Sequence, residues 1–389
     1  MPSAVRPLLR ELAAVPYSDA PFLTLYLDMV PDGNGVRESL QILERWLDDE
    51  ASQYSGEPEP RESFAADRER IMDYINHDLD IDVRGVVIFA CSAANVWGAI
   101  PLQIQVETRM INDHYPYIFD LARLDDDHET SAVVLATGQE ARIMLMGLSD
   151  IETVAESEAP EKIKRFQAGG TAQMLFQRRT DNLIKAHMKD VGKELDRLIR
   201  HDGVRRIVFA GNDAIKGIVL NELPDNVKAL MLDYINLDPN ADMNTVRETV
   251  DPIFAQAERE QEANDARVLE DRVATKGGLG VAGVADTALA LSKGQVHQFI
   301  ALQSFNDEGG ECTKCGMIDA GAAARCPYCG GEMRHGNLRE LFALRAVAED
   351  AEIQMIESSD FLNQHGGVGA LLRYRDDVSQ EQQSLSSHS

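Results

Sequence analysis

Positive charge is scarce in this chain of 389 residues, where 38 Lys and Arg face 65 Asp and Glu for a formal net charge of −27. A balance so acidic argues against a protein that coats nucleic acid indiscriminately. It leaves room for a local RNA contact, because phosphate binding depends on where the cations sit. Long apolar runs are also missing; no stretch approaches the ~18 residues of a membrane span. The opening MPSAVRPLLRELAAVPYSDAPF carries Arg and Glu within its apolar segment, unlike a secretory signal. The expected location is the cytoplasm, with no membrane partner. The Gly169-Gly170 pair is followed by no GKS or GKT and lies in no GxGxxG, and the sequence has no HExxH and no evident Ser-His-Asp or paired-carboxylate constellation.

Cysteine is sparse, and four of the five residues fall in one pattern. Cys312, Cys315, Cys326 and Cys329 form C-x2-C-x10-C-x2-C. Two CxxC knuckles supply the four soft ligands of tetrahedral zinc, and in a cytoplasmic chain they favour structural metal over disulfide. A redox dithiol pair is the alternative. Gly316, Gly330 and Gly331 relax the backbone beside the ligands, and Pro327 stiffens one knuckle. Cys91, in GVVIFAC, reads as a buried core residue.

The scarce cations are concentrated. From Lys162 to Arg206, 12 Lys and Arg stand against 5 Asp and Glu. Within this island KIKRFQAGGTAQMLFQRR places Gly169 and Gly170 between Lys162, Lys164 and Arg165 on one side and Arg178 and Arg179 on the other. The Gly-Gly pair reads as a phosphate-facing tip or as an ordinary loop. A helix from about Gln173 to Arg200 follows, with Lys185, Lys189, Lys193, Arg197 and Arg200 at near-helical steps. Its face reads equally as RNA contact or as a solvated surface, since Asp181, Asp190, Glu194 and Asp196 interrupt it. His187 and His201 lie near this basic helix without an evident partner, and His201-Asp202-Gly203 stops it.

The fold class expected is α/β. Phe22–Asp28 and Gly85–Ala90 read as strands, with a further strand at Leu102–Val106. Helical spacing covers Gly35–Gln53 and Arg61–Asn76, with SGEPEPRES between them as a polar loop. The acidic run Asp125–Glu129 reads as a linker or a solvated turn. Ser131–Leu135 and Ala141–Met146 make a hairpin about Thr137-Gly138, and Arg206–Gly211 is a buried strand. Ala255–Asp271 reads as a charged helical connector. Beyond it come a helix, a Gly turn and a strand, then the cysteines, a helix around Leu338–Asp350 and strands at Glu352–Ile356 and within Gly366–Tyr374. The expected division is 1–127, 128–265 and 266–376, with a disordered tail at 377–389.

In their order, the segment RFQAGGTAQMLFQRR, the strand RIVFAG after a long helix, and a cysteine ribbon followed by GGVGALLRY resemble the archaeal and eukaryotic class-1 release factors and Pelota. More closely, they resemble the bacterial and archaeal release-factor-like family and its Balon-like hibernation factors. The resemblance covers nearly all of residues 1–375. It implies three α/β domains: a codon-reading-like first domain, a middle domain shaped like a tRNA acceptor arm, and a third domain bearing a zinc ribbon. It also implies that Gly169, Gly170, Thr171 and Gln173 form a tip for the peptidyl-transferase centre. Lys162, Lys164, Arg165, Arg178, Arg179 and Lys185 would then contact 23S RNA in the ribosomal A site. The implied partner of the third domain is a translational GTPase, with elongation factor Tu foremost, and the chain is expected to be monomeric off the ribosome.

Two departures from that family matter. Thr171 stands where the GGQ glutamine belongs, which counts against termination-type hydrolysis. Neither NIKS nor YxCxxxF occurs, which counts against stop-codon reading. The expectation is therefore a hibernation or stress factor that binds the A site. Gly170–Gln173 also resembles the GxxQ pattern of a branch that cleaves peptidyl-tRNA, with Gln173 as the catalytic residue if hydrolysis survives. An RNA nuclease is a third option, and no cluster of metal-binding carboxylates in the sequence supports it.

Overall fold

The computed structural model describes residues 5–17, 19–54, 58–149, 151–158, 171–321 and 323–376. The chain forms two compact units, and the sequence weaves between them. One comprises mainly residues 127–258; the other joins 5–101 and 105–126 to everything from Arg259 onward. The architecture is α/β throughout, as expected.

The joined unit begins with α1 (Val5–Ala13) and the strand β1 (Phe22–Asp28). Helices α2 (Glu38–Gln53) and α3 (Pro58–Asp73) follow, then β2 (Gly85–Cys91), β3 (Val96–Leu102), β4 (Arg109–Asp113) and α4 (Phe119–Asp127). The strands form a sheet in the order β3-β2-β1-β4. β1 is buried along nearly its whole length, because both faces of the sheet are covered. On one face Leu23, Leu25, Leu27, Val86 and Ile88 pack against Leu43 and Leu47 of α2 and Phe64 and Ile71 of α3.

Three expectations need correcting here. SGEPEPRES is not a loop throughout, because α3 starts at Pro58; proline is tolerated in a first helical turn, where its missing N–H has no intrahelical partner anyway. The strand expected at Leu102–Val106 lies earlier, at β3, and a separate strand occupies β4. The acidic run from Asp125 is not a linker at its start, since Asp125–Asp127 complete α4.

The middle unit contains β5 (Ser131–Ala136), β6 (Glu140–Met146), β7 (Ile151–Glu158) and the 31-residue α5 (Thr171–His201). Next come β8 (Arg206–Gly211), α6 (Asp213–Glu222), α7 (Asp225–Ala229) and β9 (Met231–Ile235). The five strands run in the order β7-β6-β5-β8-β9, antiparallel on the β6 side of β5 and parallel on the β8 side. Alternate residues divide the sheet between two layers. Ala132, Val134, Ile143, Ile207 and Phe209 face Met188, Val191, Leu195 and Leu198 of α5. Val133, Leu135, Met144 and Val208 face Val246 and Val250 of α8 (Met243–Ala274). Gly211 closes the sheet tightly, since a Cβ there would lie 2.4 Å from the Ala136 carbonyl oxygen. The connector expected at Ala255–Asp271 is the later part of α8; its residues up to Glu258 belong to this unit and the rest to the other.

Beyond α8 come β10 (Gly280–Ala282), α9 (Val284–Ser292) and β11 (Val296–Leu302). A small antiparallel sheet of β12 (Glu308–Cys312), β13 (Ile318–Asp319) and β14 (Met333–Asn337) is inserted next. The chain then resumes with α10 (Leu338–Ala348), β15 (Glu352–Ile356), α11 (Asp360–Gln364) and β16 (Val368–Leu372). The main sheet has the order β10-β16-β11-β15, with only β11 and β15 parallel. Leu269 of α8 and Leu362 of α11 pack on Ile300, Leu302 and Ile356. The rings of Phe299 and Phe305 meet Phe342 of α10.

Candidate functional site

The basic arm is built on α5. At 1.5 Å per residue its 31 residues run about 46 Å. Thr171 is its first residue and Gln173 lies in its first turn. Gly169 and Gly170, with Lys162, Lys164 and Arg165, fall outside the described residues. Free backbone N–H groups and the positive dipole end of a helix favour an anion at such a terminus. Arg178 and Arg179 follow within the next two turns, both exposed.

Farther along, the cationic row is compensated. Lys185 and Lys189 stand 3.9 and 3.5 Å from the Glu222 carboxylate of α6. Lys193 pairs with Asp190 at 2.8 Å, Arg197 with Glu194 at 2.7 Å, and Arg200 with Asp196. Such exposed pairs contribute little to stability, but they cancel the field of the row. Charge along the later part of α5 is therefore largely neutralised within the chain. His187 is no surface residue. It is buried against the sheet, bonded to the Glu140 backbone, and its Nε2 has no partner among the described residues. Burial lowers its pKa, outweighing Asp190 and the Glu140 bond.

The four cysteines converge. Their sulfur atoms all lie within 4.8 Å of one another, with Cys312 Sγ and Cys329 Sγ 3.5 Å apart and Cys315 Sγ and Cys326 Sγ 3.7 Å apart. A tetrahedron with metal–sulfur bonds of about 2.3 Å has edges of about 3.8 Å, so the donor set fits a zinc-sized ion. The two knuckles share one geometry. The Gly316 N–H donates to the Cys312 carbonyl at 2.9 Å and the Gly330 N–H to the Cys326 carbonyl at 3.0 Å. Both glycines adopt positive φ, +68° and +71°, which a side chain would strain. Gly331 fits close beside the sulfurs, where a Cβ would come 3.1 Å from Cys312 Sγ. Burial opposes ionisation of Cys312, yet the N–H groups of Cys315 and Lys314 and the neighbouring thiols prevail and bring it down to about 6. Against the Met317 N–H, the neighbouring thiols and burial push Cys315 up to about 12. A thiolate is the form that ligates metal.

A third cluster was not legible in the sequence. In the joined unit, Glu340 of α10 is fully buried and accepts the Phe119 N–H, the first of α4, at 2.9 Å. Asp120 receives both Arg109 and Arg339. The Asn337 N–H donates to the Tyr115 hydroxyl at 3.1 Å, and the Leu121 N–H to the Tyr26 hydroxyl at 3.0 Å. Burial, with the Asp120 charge, raises Glu340 to about 8, against the Phe119 N–H and the two arginines. Burial likewise pushes Tyr115 up to about 12. The contacts of Glu340, Asn337 and Arg339 with Phe119, Tyr115 and Asp120 join residues more than 200 positions apart, and no local pattern marks them.

Comparison with known proteins gives the following. Residues 116–255 match the family model described as bacterial archaeo-eukaryotic release factor family 10, a little over a third of the chain spanning α4 to the first part of α8. No curated protein sequence matches. Among solved structures, the archaeal translation termination factor aRF1 is 16% identical, covering 95% of this chain and 97% of its own, with a TM-score of 0.27. Archaeoglobus fulgidus Pelota is 13% identical, covering 97% and 94%, with a TM-score of 0.35. S. cerevisiae Dom34, a translation termination-like factor, is 10% identical, covering 77% and 82%, with a TM-score of 0.41. Among the described residues no helix is long and apolar enough to cross a membrane. Residues 116–255, which contain the arm helix and its sheet, are thus similar to the bacterial archaeo-eukaryotic release factors.

Proposed function

We propose that this chain is a translation factor that occupies the ribosomal A site during hibernation or stress and does not read stop codons. One observation carries the reading: the segment matching a release-factor family contains Gly169-Gly170 directly before a long helix, but Thr171 follows where the hydrolytic glutamine belongs. The arm would meet 23S RNA through its tip and through Arg178 and Arg179, with Lys162, Lys164, Arg165 and Lys185 as further contacts. The four cysteines would hold zinc, whose role is structural: it ties two knuckles together and leaves no ligand position for water. The third segment, 266–376, would present the surface for a translational GTPase, elongation factor Tu by preference. The first, 1–127, would be a decoding-domain relative stripped of its reading motifs, and 128–265 the acceptor-arm mimic. The chain would act in the cytoplasm as a monomer.

A second reading rests on the position of Gln173 in the first turn of α5, three residues after Gly170. There it could orient water on a peptidyl-tRNA ester, with backbone N–H groups at the helix start stabilising the oxyanion.

One experiment separates the two. The protein is sedimented with vacant ribosomes, with and without elongation factor Tu, at two salt concentrations, and the same samples are assayed for peptide release from P-site peptidyl-tRNA. Salt-sensitive binding without release is expected. Release abolished by Gln173→Ala would establish the hydrolase instead, and absence of ribosome binding at low salt would overturn both.

A further inference from the structure

The cysteine knuckles and the first segment are joined by one short path inside the same compact unit. β14 begins at the metal-type site. Met333 pairs in register with Cys312 and packs with Cys312 and Cys326, while the Thr313 N–H donates to the Glu332 carbonyl at 3.0 Å. The following residues leave the ribbon and touch the first segment in turn. The Arg334 guanidinium sits 3.8 Å from the centre of the Tyr17 ring. Gly336 lets the Tyr115 hydroxyl approach where a Cβ would be 2.8 Å from it, and Asn337 donates its N–H to that same hydroxyl. Asn337 then caps α10 by accepting the Arg339 N–H at 2.9 Å. The first turn of α10 completes the grip through Arg339 on Asp120, Arg339 over the Phe119 ring at 3.9 Å, and Glu340 on the Phe119 N–H.

The last turn of α10 returns to the knuckles. Arg345 donates to the Gly316 carbonyl at 2.8 Å and to Glu311 at 2.6 Å. Helix α10 therefore holds the first knuckle at one end and the first segment at the other. Knuckles of this kind keep their turns only while four thiolates share an ion, since ligand geometry and backbone folding are one equilibrium. Whatever positions Gly316, Met333 and the start of α10 thus positions the anchors of Tyr115, Phe119 and Asp120.

We propose that metal in the Cys312–Cys315–Cys326–Cys329 site latches the first segment of the chain to the third, so that metal loss frees residues 115–124 although none of them is a ligand. This is a property of the fold and does not depend on ribosome binding. Coupling of this kind is reciprocal: if metal favours the closed junction, the closed junction favours metal by the same factor.

The test measures both directions on the full chain. Zinc affinity is determined by competition with a chromogenic chelator for the native protein and for Arg339→Ala, Tyr115→Phe and Arg197→Ala. Arg339→Ala should bind zinc on the order of tenfold more weakly, within the usual span of coupling energies. Tyr115→Phe keeps the ring and the packing, so its smaller loss in the same direction guards against a trivial folding defect in the first variant. Arg197→Ala, on α5, should bind zinc as the native chain does. In parallel, amide hydrogen exchange is followed with zinc bound and after chelation. Residues 115–124 should exchange at least tenfold faster without metal, while β5 and β8 are unchanged. Native zinc affinity in both junction variants, or faster exchange confined to residues 308–337, would overturn the proposal.

Discussion

A carboxylate as deeply buried as Glu340 takes its charge state from its surroundings. Desolvation is the leading cause of its rise to about 8, with Asp120 adding to it and the Phe119 N–H, Arg339 and Arg109 opposing it. The unfolded carboxyl titrates near 4.3. Between these values the folded chain keeps a proton that the unfolded chain releases, so the stabilisation is full below about pH 4.3 and is lost as pH rises toward 8. Glu340→Gln keeps an acceptor for the Phe119 N–H and cannot ionise. Relative to the native chain it should gain on the order of 2–4 kcal/mol between pH 5 and pH 8. Both tryptophans, Trp46 and Trp97, pack in the first segment of the same unit, so their fluorescence during urea unfolding reports this difference. A native-minus-variant difference that stays flat across that range would show that Glu340 is already ionised. His187 in the middle unit runs the opposite way. Its pKa is lowered by burial, so stability is full above about pH 6.5 and falls as pH drops below it. Replacing it with Gln should flatten the acid side of the middle unit's unfolding, followed by hydrogen exchange in β5 and β8.

At the scale of elements, α5 shows what its sequence makes plain and what it hides. Apolar residues at helical spacing and the stop at His201-Asp202-Gly203 mark its length closely, just as alternation and a Thr-Gly turn mark the hairpin of β5 and β6. The fate of its charges is hidden, because Glu222, the partner of Lys185 and Lys189, comes from another helix. β3 is obscured for a different reason. Its run VWGAIPL contains Gly and Pro, which read as breakers, but β3 is an edge strand, where proline is allowed. The convergence of the four cysteines was legible, since metal ligation demands both residue type and spacing. The compensation along α5 leads to a graded expectation for ribosome binding. Arg178→Glu with Arg179→Glu should weaken binding at low salt and flatten its dependence on log salt by about one to two units. Charge reversal at Lys193, already paired with Asp190, should leave the slope nearly unchanged. Equal effects from both changes, measured by sedimentation across a salt series, would mean that the whole helix face touches RNA.

At the scale of the whole molecule, the compact units do not follow chain order. Residues 5–101 and 105–126 fold in one compact unit with the chain from Arg259, while the middle segment forms a unit of its own. The first segment has its own core, with Phe64 and Ile71 against the sheet, yet one end of it is finished by distant residues. The start of α4 is capped by Glu340, Asp120 is neutralised in part by Arg339, and Tyr115 and Tyr17 rest on β14. Cutting the chain at 126 would uncover the ring of Phe119, fully buried under Arg339, and leave a helix N-terminus unpaired. Uncapping alone costs about 1 kcal/mol and burial of each large side chain about 1.5–3 kcal/mol, a large part of a domain's margin of about 5–15 kcal/mol. A fragment of residues 1–126 should therefore unfold at a markedly lower temperature than the same tryptophans report in the full chain. Adding residues 259–376 as a separate zinc-loaded fragment should raise that temperature, and the same fragment stripped of zinc should raise it less. A fragment 1–126 that melts with the full chain would show that the first segment is complete by itself, and that its contacts with α10 only orient it.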